Sequence, residues 1–187
     1  MIQNGIYNIL RQHQLIPVAT INNENEIHHI EKCLTENNIN IIEITLRTEF
    51  AWEAIEYFKN SKKNSFHVGV GTVIKKEQIE KLKKLAIDFI VSPGSTTKLI
   101  YDLAESGIPF LPGVCTVSEM MQAMENNCHY LKFFPANLFG GSKALSTYEQ
   151  LFPELKFCPT GGINENNIQE YTQLKNVIAI GGSWMLK

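Results

Sequence analysis

Eight short β-branched or apolar runs, alternating with seven segments of helical periodicity, leave this chain few folds to adopt. The runs fall at residues 17–21, 41–46, 67–73, 89–92, 109–112, 131–134, 156–159 and 177–180. The helical segments are 24–36, 49–62, 75–86, 96–105, 117–125, 142–151 and 165–174. Regular β-then-α order predicts parallel strands joined by helical crossovers. Eight of them suit a closed α/β barrel of the (β/α)8 TIM type better than an open doubly wound sheet, which stands as the alternative. The whole chain, 1–187, reads as one domain. It stops at Gly182-Ser183-Trp184-Met185-Leu186-Lys187, directly after the eighth run, so the barrel is expected to lack its last helix. The exposed flank would need cover from the N-terminal helical segment 6–15 or from a neighbouring subunit.

Composition narrows the function. A net charge of −2 with dispersed lysines provides no basic field for nucleic acid. No apolar run approaches the ~20 residues that cross a bilayer, and the N-terminus lacks the pattern of a signal peptide, so neither a membrane partner nor export is expected. Cys33, Cys115, Cys128 and Cys158 are far apart and form no CxxC pair, which suits reduced thiols in the cytoplasm. The histidines His13, His28, His29, His67 and His129 form no converging ligand set; surface positions are expected and no metal is predicted.

Within the sixth run, Tyr130-Leu131-Lys132-Phe133-Phe134-Pro135, one lysine stands where a buried strand would carry an apolar residue. An ammonium taken out of water is penalised, and a lysine that sheds its proton can attack a ketone to form a Schiff base. The plain alternative is an edge lysine whose stem snorkels to solvent. In the second run, alternation puts Glu43, Thr45 and Arg47 on one face and Ile42, Ile44 and Leu46 on the other. Helices cover the outside of a barrel with apolar contacts, so the polar stripe is expected inside. A Glu43–Arg47 ion pair is the structural alternative to a functional stripe. Pro159-Thr160-Gly161-Gly162 and Gly181-Gly182-Ser183 end the seventh and eighth runs, where a barrel commonly holds phosphate on loop N–H groups, although paired glycines are also ordinary turn material. Thr72 offers a hydroxyl at the same rim after Gly69-Val70-Gly71, and Pro93 ends the fourth run.

The motifs IIEITLRTEFAWEAI, VGVGTV, IVSPG, IPFLPGVCTVSEMM, LKFFPANLFGG, FCPTGGI and AIGGSW, in this order and spacing, resemble those of the bacterial 2-keto-3-deoxy-6-phosphogluconate (KDPG) and 4-hydroxy-2-oxoglutarate (KHG) aldolases. The resemblance implies a (β/α)8 barrel, a homotrimer, no cofactor, no metal and a phosphorylated 2-keto acid substrate. It makes Lys132 the Schiff-base nucleophile and Glu43 the general acid/base. Arg47, Thr72 and Thr160, with Pro93 nearby, would bind the substrate carboxylate. Gly161, Gly162, Gly182 and Ser183 would bind phosphate, and Phe134 would pack against the imine. The implied reaction is reversible cleavage of KDPG to pyruvate and glyceraldehyde 3-phosphate, with activity on 4-hydroxy-2-oxoglutarate. The galactonate epimer of the substrate, or a noncatalytic phosphosugar-binding barrel, are the other readings. Asn38 and Asn127 stand where the family usually has helix-ending glycines, and asparagine tolerates the left-handed conformation best after glycine. Asn137 replaces a frequent glutamate near the rim.

Overall fold

The structure, a computed structural model, describes residues 3–61 and 66–187. In chain order the strands and helices are α1 (Asn4–Gln12), β1 (Leu15–Ala19), α2 (Glu24–Glu36), β2 (Ile41–Thr45), α3 (Ala51–Ser61), β3 (His67–Gly71), α4 (Lys76–Lys84), β4 (Phe89–Val91), α5 (Thr97–Ser106), β5 (Phe110–Leu111), β6 (Gly113–Val114), α6 (Val117–Glu125), β7 (Tyr130–Phe133), α7 (Gly141–Leu151), β8 (Lys156–Pro159), α8 (Gln169–Thr172) and β9 (Ile180–Gly182). Short 3₁₀ turns cover Ala136–Phe139 and Trp184–Leu186.

All recorded strand pairings are parallel, in the orders β5-β4-β3-β2-β1-β9 and β6-β7-β8. Bridges from Phe157 to Val177 and from Thr160 to Gly181 join β8 to the last stave. At the other seam β5 runs into β6 through Pro112, so the two groups close as one barrel of eight staves. The alternation read from sequence therefore gives the fold. Side-chain parity divides the core as a barrel requires. Ile42, Ile44, Val68 and Val70 pack outward against the helices, whereas Ile16, Ile41, Phe89, Val91 and Leu111 fill the interior.

Local chemistry fixes the helix ends. The Asn23 side chain accepts from Glu26 N at the start of α2, and Thr116 with Glu119 forms a capping box on α6. Asn38 and Asn127 take positive φ, 54° and 58°, just beyond α2 and α6. Asparagine thus serves as the left-handed stop in both places.

Several boundaries differ from the sequence reading. The third helix begins at Ala51, and residue 62, its expected end, lies outside the described residues. The seventh crossover helix, expected over 165–174, shrinks to α8, with hydrogen-bonded turns on Asn164 leading into it. The eighth run slides to Ile180–Gly182, leaving Val177 as an isolated bridge. The fifth run divides at Pro112. In this register Lys132 N donates to Pro112 O, and the next rung would run from residue 112 N to Tyr130 O. Proline has no N–H to give.

Gln3 supplies the missing rung. Its Nε2 donates to Tyr130 O at 2.8 Å and to Phe110 O at 3.3 Å, while its Oε1 accepts from His129 N at 2.7 Å and Tyr130 N at 2.9 Å. The following helix, α1, consequently plugs the lower mouth of the barrel, with Ile6 and Leu10 fully buried against the interior cluster. Cover for the barrel flank, one of the roles foreseen for this segment, is not what it provides. Its helix also ends earlier than expected, because Leu15 already belongs to β1. Gln3→Ala would leave buried backbone donors unpaired, each costing about 1–3 kcal/mol. A loss of roughly 2–4 kcal/mol is expected, seen as a melting temperature lower by roughly 5–15 °C. A melting curve unchanged by the substitution would show that the amide is not needed at this seam.

Candidate active site

The strand arithmetic of β2 and β7 brings Lys132 and Glu43 together inside the barrel. Lys132 Nζ donates to Glu43 Oε1 at 2.9 Å, with the two residues only 5% and 3% exposed. Glu43 therefore pairs with Lys132, and the alternative Glu43–Arg47 pair does not form. Arg47 lies in the turn after β2, exposed at the rim, with no recorded ion pair among the described residues. At this distance the carboxylate is within reach to exchange a proton with the amine.

The surroundings hold this pair in place. Gly71 stands beside Thr45 in the β2–β3 register, and a Cβ there would collide with Glu43 Oε1. Only glycine leaves room for the carboxylate. The Phe134 ring centre is 5.1 Å from Lys132 Nζ, an aromatic wall suited to a cation. On the adjoining strand Cys158 is in register with Lys132, and burial pushes its thiol up to about 12. Protonated and fully enclosed, it acts as interior packing.

Above the pair opens a cavity of about 370 Å3, at the C-terminal ends of the strands. Of the residues anticipated from sequence, Arg47, Lys132, Phe134, Thr160, Gly161, Gly162, Gly182 and Ser183 line it. Glu43 supports Lys132 from behind, while Thr72 and Pro93 are not on the cavity wall. Thr72 has a positive φ of 62°, and the Pro93 backbone closes on Gly113. Thr160 Oγ1 is buried without a hydrogen-bond partner, the Cys158 thiol being its polar neighbour. A buried hydroxyl left this way is ready to bond a ligand.

The glycine loops are shaped to leave their amides available. Gly161 and Gly162 have φ of 101° and 71°. Their carbonyls are engaged by Asn137 N at 3.2 Å and Asn167 Nδ2 at 2.9 Å. No hydrogen bond among the described residues consumes the N–H groups of Gly162 or Ser183. These free donors, with the Arg47 guanidinium also on the wall, make the cavity receptive to an anion. Val18, Thr20 and Ile163 also line it but were not singled out from sequence. The available signal was parity, since Val18 and Thr20 continue the interior face that Ile16 opens in β1.

No group of three or more His, Cys, Asp or Glu residues able to hold a metal is found among the described residues. His28 and His29 are exposed as expected, but His13, His67 and His129 are partly buried. His13 and His67 meet edge-on with ring centres 5.1 Å apart at the opposite end of the barrel from the cavity. All four cysteines are free. No helix among the described residues is long and apolar enough to cross a membrane.

Comparison with known proteins gives the same reading of the architecture. The chain is 38% identical over 178 residues to the 2-dehydro-3-deoxy-phosphogluconate aldolase of Dickeya dadantii, covering 95% of this chain and 83% of the relative. It is 37% identical over the same length to the KHG/KDPG aldolase of Escherichia coli K12, with the same coverage of each. The KDPG aldolase of Legionella pneumophila, solved with pyruvate captured as a covalent carbinolamine intermediate, superposes with a TM-score of 0.90 at 37% identity, covering 95% of this chain and 86% of that one. Residues 6–187 match the family described as KDPG and KHG aldolase, and the chain belongs to that family.

Proposed function

We propose that this chain is a class I, pyruvate-dependent aldolase that reversibly cleaves KDPG to pyruvate and glyceraldehyde 3-phosphate and also acts on 4-hydroxy-2-oxoglutarate. The observation that carries this reading is the buried Lys132–Glu43 pair opening into a cavity with cationic and amide donors on its walls. The pyruvate carbinolamine of the Legionella relative supports it.

Lys132 Nζ attacks the substrate C2 carbonyl, and loss of water from the carbinolamine yields a protonated imine. Glu43 then takes the proton of the C4 hydroxyl as the C3–C4 bond breaks. The bonding electrons move toward the imine nitrogen, giving an enamine and the free aldehyde. Protonation of the enamine at C3 and hydrolysis release pyruvate and restore Lys132. Arg47 holds the carboxylate through its planar donor fork, and the orphaned Thr160 hydroxyl offers a further contact. Gly161, Gly162, Gly182 and Ser183 receive the phosphate, with the free amides of Gly162 and Ser183 as donors. Phe134 keeps the imine dry. Thr72 and Pro93 are proposed for the carboxylate end only through the family resemblance. A homotrimer acting in the cytoplasm accompanies this reading, supported by that resemblance and by the exposed Tyr101 and Met121 on the adjoining helices α5 and α6.

Incubation with pyruvate and sodium borohydride, followed by peptide mass spectrometry, tests the chemistry. A reduced pyruvate adduct is expected on Lys132. Folded protein without any adduct would instead favour a noncatalytic phosphosugar-binding barrel.

A further inference from the structure

We infer that Thr20 is a specificity-determining residue, which accepts a hydrogen bond from the C5 hydroxyl of the substrate, between the scissile bond and the phosphate. The inference rests on the aldolase reading. Thr20 lines the cavity at the end of β1, beside the stave that ends in Gly182 and Ser183.

The direction of its hydrogen bonds follows from proton counting. Thr45 Oγ1 donates to Ala19 O at 3.0 Å, which uses its single proton. The 2.8 Å contact between Thr20 Oγ1 and Thr45 Oγ1 must then carry the Thr20 proton. With that proton committed, Thr20 faces the cavity with acceptor lone pairs. An ionised carboxylate or phosphate oxygen has no proton to offer, so the matching ligand group is a hydroxyl.

The residue is also held in place. Ala19 O is fixed by Thr45, and one residue past Thr20 the Ile21 carbonyl accepts from Thr48 Oγ1 at 2.5 Å, so the backbone before and after Thr20 is tied to β2 and the turn that follows it. Of the two hydroxyls in KDPG, the one on C4 must give its proton to Glu43 during cleavage. The C5 hydroxyl takes no part in the chemistry, and its carbon lies next to the phosphate-bearing one. Thr20, adjoining the Gly182-Ser183 loop, suits that position.

The test runs the reaction in the direction of condensation, joining pyruvate to either glyceraldehyde 3-phosphate or 3-phosphooxypropanal, which lacks only the relevant hydroxyl. Thr20→Val should lower kcat/KM for glyceraldehyde 3-phosphate by roughly 3–10-fold, the worth of one neutral hydrogen bond, and leave the deoxy acceptor nearly unchanged. Thr20→Ser should restore the discrimination. Equal effects on both acceptors, or none, would overturn the role of Thr20 while a borohydride-trapped adduct on Lys132 kept the aldolase reading intact. An absent adduct in the unsubstituted protein would overturn that reading, and the role of Thr20 with it.

Discussion

Lys132→Ala is expected to abolish both turnover and the borohydride-trapped pyruvate adduct. The amine at this position is the proposed nucleophile, and residual chemistry would have only binding and acid/base assistance to draw on. A fall in kcat of at least about 10⁴-fold is the scale set by removing a nucleophile from a cooperating site. Loss of activity alone would be ambiguous, because the substitution also strips Glu43 of its partner. Breaking a buried pair costs about 3–5 kcal/mol when the remaining charge is uncompensated, although a carboxyl can lessen the penalty by taking up a proton. Lys132→Met separates the two effects. Methionine retains most of the buried stem, so a variant that still melts cooperatively above the assay temperature, with no adduct and no turnover, would assign the loss to chemistry. An adduct on a different lysine, or turnover within tenfold of the parent, would remove Lys132 from the mechanism.

The sequence made the barrel legible because strand and helix periods differ and alternate without interruption. It also made Lys132 and Glu43 legible, since a charge inside an apolar stave needs a partner, and parity pointed both side chains to one interior. What periodicity could not provide were contacts set by backbone hydrogen bonding across the seams. The split at Pro112 depends on which neighbour each residue faces. The part of Gln3 follows from that split, because its amide replaces a rung that proline cannot form. Neither is visible in a linear pattern. The N-terminal helix was recognisable from its spacing, but its place in the barrel mouth was not, because an apolar face fits a barrel end as readily as a flank. Thr20 escaped for a different reason. A lone threonine in a strand is ordinary, and its acceptor character appears only once Thr45 is seen to spend its own proton on Ala19.

Glu43→Gln should leave the adduct with pyruvate attainable while slowing cleavage by roughly 10²–10⁴-fold, the usual contribution of a positioned acid/base. The amide conserves the shape that Gly71 accommodates, where a Cβ would collide with the carboxylate oxygen. Its oxygen can still accept from Lys132, but the group can no longer take or return a proton. The amine then has no carboxylate to receive its proton, and imine formation must use water, reaching the same adduct more slowly. The clearest readout is exchange of the pyruvate methyl hydrogens with deuterated solvent, which requires enamine formation and protonation at C3 but no aldehyde. If Glu43 moves protons at both C3 and the C4 hydroxyl, exchange and cleavage should slow together. If exchange stays fast while cleavage falls, Glu43 serves the C4 hydroxyl alone and another group handles C3. Unchanged rates for both would mean that the carboxylate only balances the charge of Lys132, and the proton carrier would have to be sought elsewhere in the cavity.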